Sequence, residues 1–341
     1  MKTRGTVVLA ASTGLIVIAG AFFLHSPAFH RHSAALHGHG GIHASGPAAE
    51  LLGGSGGDAA ANARAREGVA DIGRRWDEAA FARTVTLYTE VHRGIDWPGV
   101  LASETFQYGP DVRQTLELYR PEQEFREPGP VFLFLHGNGL GNGDRVVPGS
   151  DGLIYGNLGK LAATAGGIGV SMNYRMGEGK GDGVALEWGA KDLRLVIDWI
   201  VANIAAYGGD PDTIVIMANS EGATVAAAYL FNEAWQTESG HGVAAAILSS
   251  GLFGTLAPEI EPLIFNYTGN PVPLALWSAE YDVAEVAAGV ADLHEILCRK
   301  YDGCPWYEQI NGHNHVSQLM SLGTADTDVM NRFIRFYHTV R

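Results

Sequence analysis

The sequence predicts an α/β fold, a mostly parallel eight-stranded sheet with helices on both faces. Three observations carry that expectation. From about residue 105 onward, short apolar, β-branched runs alternate with longer stretches of helical spacing, the pattern of a sheet covered on both sides. One run, Thr213–Met217, breaks at Ala218-Asn219-Ser220-Glu221-Gly222 and continues as an Ala-rich segment, Ala223–Phe231. The later runs are followed by loops bearing carboxylates and imidazoles, Glu280 and Asp282 after one, His313 and His315 after the last.

Taken in order, apolar residues recur at helical spacing over Asp71–Arg93 (Ile72, Trp76, Ala80, Val85, Tyr88, Val91), which predicts a lead-in helix. Thr105–Tyr108 and Leu116–Tyr119 alternate as strands about a Gly109-Pro110 turn. Val131–Leu135 reads as a buried strand running into His136-Gly137-Asn138-Gly139. A helical segment near Leu158–Ala165 precedes the strand Ile168–Tyr174. Leu186–Tyr207 is a long amphipathic helix, with Trp188, Leu193, Val196, Ile197, Ile200 and Ile204 on one stripe, closed by Gly208–Pro211. After the serine segment come strands at Ala244–Leu248, Pro273–Trp277 and Trp306–Ile310, with a helix over Val283–Tyr301 and a helix-like stretch at Val316–Leu322.

The flanks read differently. Lys2 and Arg4 precede an uncharged apolar run, Thr6–Leu24, and then Ser26-Pro27-Ala28. Residues 1–28 are therefore expected to be a secretory signal, with an uncleaved membrane anchor as the alternative. Residues 29–65 are rich in Gly, Ala and His and lack the material of a core, so a disordered linker is expected there. Its histidines fit no rigid ligand set, and no metal site is assigned to them. The globular domain is expected over 66–341. Of its 341 residues the chain has 46% hydrophobic and 18% charged, with a net charge of −14. That balance argues against nucleic acid or an anionic surface as a partner. In an exported chain Cys298 and Cys304, the two cysteines present, are expected to pair.

Strand, small-x-Ser-x-Gly, helix is a nucleophile elbow. Ala218 and Gly222 supply the small residues that so tight a turn demands, and Ser220 becomes the candidate nucleophile. A serine needs a base to take its proton and a carboxylate to orient that base. In an open α/β sheet both belong in loops at the C-terminal ends of later strands. Asp282 is preferred to Glu280 as the acid. His315 is preferred to His313 as the base because a helix-like segment starts directly after it, which leaves His313 to support the loop. Gly137 and Gly139 let the backbone approach a ligand closely, so the amides of Asn138, Gly139 and Glu221 are the expected oxyanion donors. His136 then holds the loop. The Glu221 carboxylate is read as ordinary complement to a helix N-terminus and not as a catalytic group. Trp97, Trp188 and Trp277 are either pocket-lining or plain core.

On these residues the chain resembles the α/β-hydrolase superfamily, and within it bacterial carboxylesterases of the hormone-sensitive-lipase-related and feruloyl-esterase-like groups. The likeness runs from about Thr105 to the C-terminus and includes Asn173-Tyr174-Arg175, Asn203–Pro211 and Gly312-His313-Asn314-His315-Val316-Ser317. The resemblance implies an exported serine esterase acting on a small-molecule ester through Ser220, His315 and Asp282, by way of an acyl-enzyme, without metal or organic cofactor. It also implies that the second histidine of the last loop is the base. The sequence departs from the family pattern in HGNG for HGGG, AxSxG for GxSxG, and Glu221 after the serine. The same triad would serve amide hydrolysis, and a binding module on a hydrolase scaffold is the alternative outside enzymes.

Overall fold

Aliphatic and β-branched runs form the strands, and the alternation of their side chains builds two cores. The computed structural model describes residues 56–123, 127–137, 143–176 and 184–339. The expected signal or anchor, most of the expected linker, Asn138 and Gly139 lie outside the described residues. Among these, strands β1 (Glu104–Gln107), β2 (Thr115–Tyr119), β3 (Gly129–Leu135), β4 (Ile168–Met172), β5 (Gly209–Asn219), β6 (Ala245–Ser249), β7 (Leu274–Tyr281) and β8 (Trp306–Asn314) form one sheet. Their spatial order is β1-β2-β4-β3-β5-β6-β7-β8. β2 is antiparallel to both its neighbours, and every pairing from β4 onward in that spatial order is parallel.

Side chains on a strand point alternately to opposite faces, and β5, β6 and β7 obey this strictly. Ile214 and Ile216, Ala246 and Leu248, and Leu274 and Leu276 enter one core. Val215 and Met217, Ala245 and Ile247, and Ala275 and Trp277 enter the other. The first core is closed by helices α4 (Val184–Asn203), α5 (Glu221–Leu230), α6 (Ile260–Asn266) and α7 (Ala284–Lys300). The second is closed by α1 (Ala59–Ile72), α2 (Glu78–Arg93), α3 (Gly156–Thr164), α8 (Ser317–Met320) and α9 (Thr327–Thr339). Cys298, in the last turn of α7, forms a disulfide with Cys304 just beyond the helix. No helix among the described residues is long and apolar enough to cross a membrane.

The structure corrects several expectations. Ordered helix begins at Ala59, inside the stretch read as linker to residue 65. Asp58 caps it through a 2.8 Å bond from the Ala60 amide, and Ala65, Val69 and Ile72 give it a buried face. The single lead-in helix is two, because Gly73 ends α1 with φ +63° and the Asp77 side chain caps α2 by accepting from the Ala80 amide. The Gly109-Pro110 turn is a longer connection closed by Tyr108 N–H donating to Gln114 O at 2.9 Å. Trp188 leaves the buried stripe of α4 and is 41% exposed, with the Arg175 guanidinium over its ring. β7 and β8 run past Trp277 and Ile310 to Tyr281 and Asn314, which brings Asp282 and His315 directly to the strand ends. Helix α9 has no counterpart in the sequence reading, although Val329, Met330, Phe333, Ile334 and Phe336 face inward at helical spacing.

The N-terminal pair α1–α2 is fastened to the loops at the C-terminal edge of the sheet. His92 on α2 donates from Nε2 to Met320 O at 2.7 Å. Thr84 Oγ1 accepts from the Asn314 side-chain amide at 2.9 Å. Arg66 donates to Asn311 O and to Asp326. Burial pushes His92 down from 6.5 to about 4 and does the same to His136. Both imidazoles are therefore neutral in the folded chain. As pH falls below about 6.5, the unfolded chain takes up protons there that the folded chain refuses. Stability held in full above that pH is lost progressively toward pH 4. Urea denaturation should show this loss between pH 7 and pH 5. His92→Gln keeps an N–H for Met320 O and should make the dependence shallower.

Candidate active site

Ser220 stands where β5 ends and α5 begins, with φ +56° and ψ −130°. Non-glycine residues seldom hold that conformation, at a cost of about 1–3 kcal/mol, and the surroundings enforce it here. The Ser220 amide donates to Ser249 O at 3.0 Å, on the neighbouring strand β6. Gly222 lies so close to the chain after β3 that a Cβ there would come within 2.4 Å of His136 O and 2.7 Å of Leu135 O. Ala218 is fully buried. The demand for small residues on either side of the serine is thus a matter of backbone crowding.

The Ser220 hydroxyl donates to His315 Nε2 at 2.8 Å, and His315 Nδ1 donates to Asp282 Oδ1 at 2.9 Å. A carboxylate can only accept, so this contact fixes the proton on Nδ1 and leaves Nε2 as acceptor. Asp282 is wholly buried. Its second oxygen accepts from the Ser250 hydroxyl at 2.6 Å and the Ala279 amide at 2.7 Å. Gln318 donates in turn to Ser250 Oγ at 2.6 Å. The carboxylate is oriented from both sides and faces the imidazole edge.

The remaining sequence candidates have separate places. Glu280 accepts from the Gly312 amide at 2.7 Å and shapes the base loop instead of facing the imidazole. His313 is buried, donates from Nε2 to Asp326 at 3.0 Å and meets Ser317 Oγ at 3.1 Å on its other nitrogen. His136 is buried and donates from Nδ1 to Gly137 O at 2.7 Å, with its ring stacked on Tyr174. The Tyr174 hydroxyl donates to His136 O. Gly137 is pressed against the serine: a Cβ there would lie 2.8 Å from Ser220 Cβ. Glu221 is the first residue of α5, at the end where backbone N–H groups project. Trp277 is core, and Trp97 packs over Gly323.

Several contributors escaped the sequence reading. Asn219 sits in the variable position of the elbow, and its amide donates to Ser249 O and to His315 O, both at 3.1 Å. It ties the serine strand to the base loop. Ser250 and Gln318 carry no motif at all. Trp76, which the apolar spacing places on a helical stripe, lies instead in the break between α1 and α2 with its ring 4.3 Å from that of His315. Arg74, in the same break, donates to Asp282 O at 3.1 Å.

A mostly parallel sheet in this order, with a serine elbow after β5, an acid after β7 and a histidine after β8, decides the fold. The chain has the α/β-hydrolase fold. Within it, residues 114–257 match the model described as the Carboxylesterase family. Esterase B1 of Culex pipiens is 33% identical over 116 residues, which cover 31% of this chain and 20% of that protein. Secreted lipase 5 of Gibberella zeae is 30% identical over 159 residues, 41% of this chain and 29% of that protein. The chain thus spans less than a third of the length of these curated relatives. The crystal structure of esterase B from Lactobacillus rhamnosis superposes with a TM-score of 0.55 at 14% identity, covering 82% of this chain and 95% of that one.

The crowding at the elbow of this hydrolase fold gives a direct test. In Gly222→Ala the added methyl meets main-chain oxygens that cannot rotate away. Chemical denaturation should show a loss of about 1–3 kcal/mol, while Gly94→Ala should cost less, because φ there is −90° and a Cβ would meet only Val91 O, at an ordinary 3.6 Å.

Proposed function

We propose that the chain is an exported serine carboxylesterase. Ser220 attacks an ester carbonyl while His315 takes its proton. The amides of Glu221, Asn138 and Gly139 hold the developing oxyanion, and His315 returns the proton to the leaving alcohol. Water, activated by the same imidazole, then releases the acyl group from Ser220. Asp282 keeps the imidazole in the required tautomer and stabilises it when charged. The observation that carries this reading is the unbroken chain of contacts from Ser220 Oγ through His315 to Asp282, at 2.8 and 2.9 Å.

The carboxylesterase match over residues 114–257 and the esterase relatives support an ester over an amide as substrate. The loop Gly312–Ser317 and the run Asn173-Tyr174-Arg175 are what support the finer likeness to the hormone-sensitive-lipase-related and feruloyl-esterase-like groups. Export is supported by the Cys298–Cys304 disulfide and by the apolar N-terminal run with its basic lead.

Turnover of p-nitrophenyl butyrate and covalent labelling by a fluorophosphonate probe test the reading. Ser220→Ala should lose all labelling and lower kcat by about 10⁴-fold or more. Asp282→Asn should retain labelling at a rate reduced by orders of magnitude, because the histidine is left in the wrong tautomer. Equal labelling of wild type and Ser220→Ala would refute it.

A further inference from the structure

Beside the serine lies a cavity of about 440 Å³ that the chemistry above does not use. One end is Gly137, whose backbone is pressed against Ser220. One wall is helix α2, through Phe81, Ala82, Val85 and Thr86. The stretch leading into α3, including Val147 and Tyr155, also lines it. The volume is far beyond what an acetyl or ethyl group fills and falls in the range that holds a ligand of several rings.

The character of the walls selects the occupant. Phe81 stands edge-on to Trp76 with ring centroids 5.9 Å apart, and Trp76 lies against His315. Tyr155 packs on Phe134 at 4.9 Å. Aromatic faces and edges thus run from the base into the cavity, where another ring finds favourable partners. Among the described lining residues none is basic and two, Glu78 and Asp144, are acidic. Asp144 is bridged by Arg113 at 3.5 Å and Arg145 at 3.8 Å, whereas Glu78 is exposed on the first turn of α2. A carboxylate-bearing group would meet these two acidic side chains, and the arginines near this wall are already engaged by Asp144.

We infer that this cavity receives an uncharged aryl-alkyl group of the ester, and that Phe81, Val85 and Tyr155 set its size and aromatic preference. The inference rests on the esterase reading for its chemistry, and the aryl group can belong to the acyl or the alcohol side. Helix α2, outside the segment that matches the carboxylesterase model, is on this account a specificity element.

The test compares kcat/KM for ethyl acetate, ethyl 4-phenylbutanoate and 4-phenylbutyl acetate in the full chain. One aryl ester should exceed ethyl acetate by about tenfold or more, and which one does so identifies the side that enters. Ala82→Trp and Thr86→Trp, at exposed positions on the cavity wall, should lower that preference by about tenfold or more. Calorimetric binding of the preferred aryl ester to Ser220→Ala protein should be lost when either tryptophan is added. No aryl preference in the wild type, or a preference unaltered by both tryptophans, overturns the inference while leaving the esterase reading intact. Aryl-ester binding that the tryptophans abolish, in a protein that turns over no ester, upholds the cavity and overturns the esterase reading.

Discussion

The backbone at Ser220 is held in a conformation that a serine does not choose, and the site depends on that hold. A positive φ at this position turns the chain from strand to helix within one residue, so the hydroxyl projects from the sheet edge. The hold is collective. The Ser249 carbonyl takes the Ser220 amide, the chain at His136 leaves no space beside Gly222, and Gly137 closes against the serine itself. These neighbours belong to two other strand ends, that of β6 for Ser249 and that of β3 for His136 and Gly137. The Ser220 hydroxyl is consequently presented only if β3, β5 and β6 keep their parallel register.

The other two members of the constellation are fixed by polar contacts that bind loop to loop. Asn219 reaches from the serine strand to the carbonyl of His315, Ser250 just past β6 donates to the Asp282 carboxylate, and Gln318 on α8 donates in turn to Ser250. The pair α1–α2 adds a second layer, with Arg74 on the Asp282 carbonyl, Thr84 on Asn314, His92 on Met320 and Trp76 over the imidazole. A buried imidazole–carboxylate pair keeps its geometry when water is excluded and every lone pair has a partner. The N-terminal helices contribute to both conditions. They belong to the working frame of the site and are more than a lead-in to it.

Much of this was legible from residue order because the strongest signals are local. Buried strands are continuous apolar runs, and an elbow needs small residues at fixed offsets from its serine. The preference for His315 over His313 rests on the helix-like segment that starts directly after it, and His315 is the histidine whose ring nitrogens contact Ser220 and Asp282. What escaped was non-local or faintly coded. The break between α1 and α2 lies within a stretch whose apolar spacing is helical throughout, and only Gly73 and the Asp77 cap betray it. The contacts of Trp76, Ser250 and Gln318 join residues far apart in sequence, and nothing in their own neighbourhoods marks them. Helix α9 was missed although its apolar spacing was present to be read.

The central claim is that Ser220, His315 and Asp282 act as one unit at the C-terminal edge of the sheet. A crystal structure of the protein after reaction with diethyl 4-nitrophenyl phosphate tests it most directly. The account predicts phosphorus bonded to Ser220 Oγ, the phosphoryl oxygen directed at the Glu221 amide, and His315 still hydrogen-bonded to Asp282. An unmodified Ser220, or a His315 turned away from both partners, would contradict it.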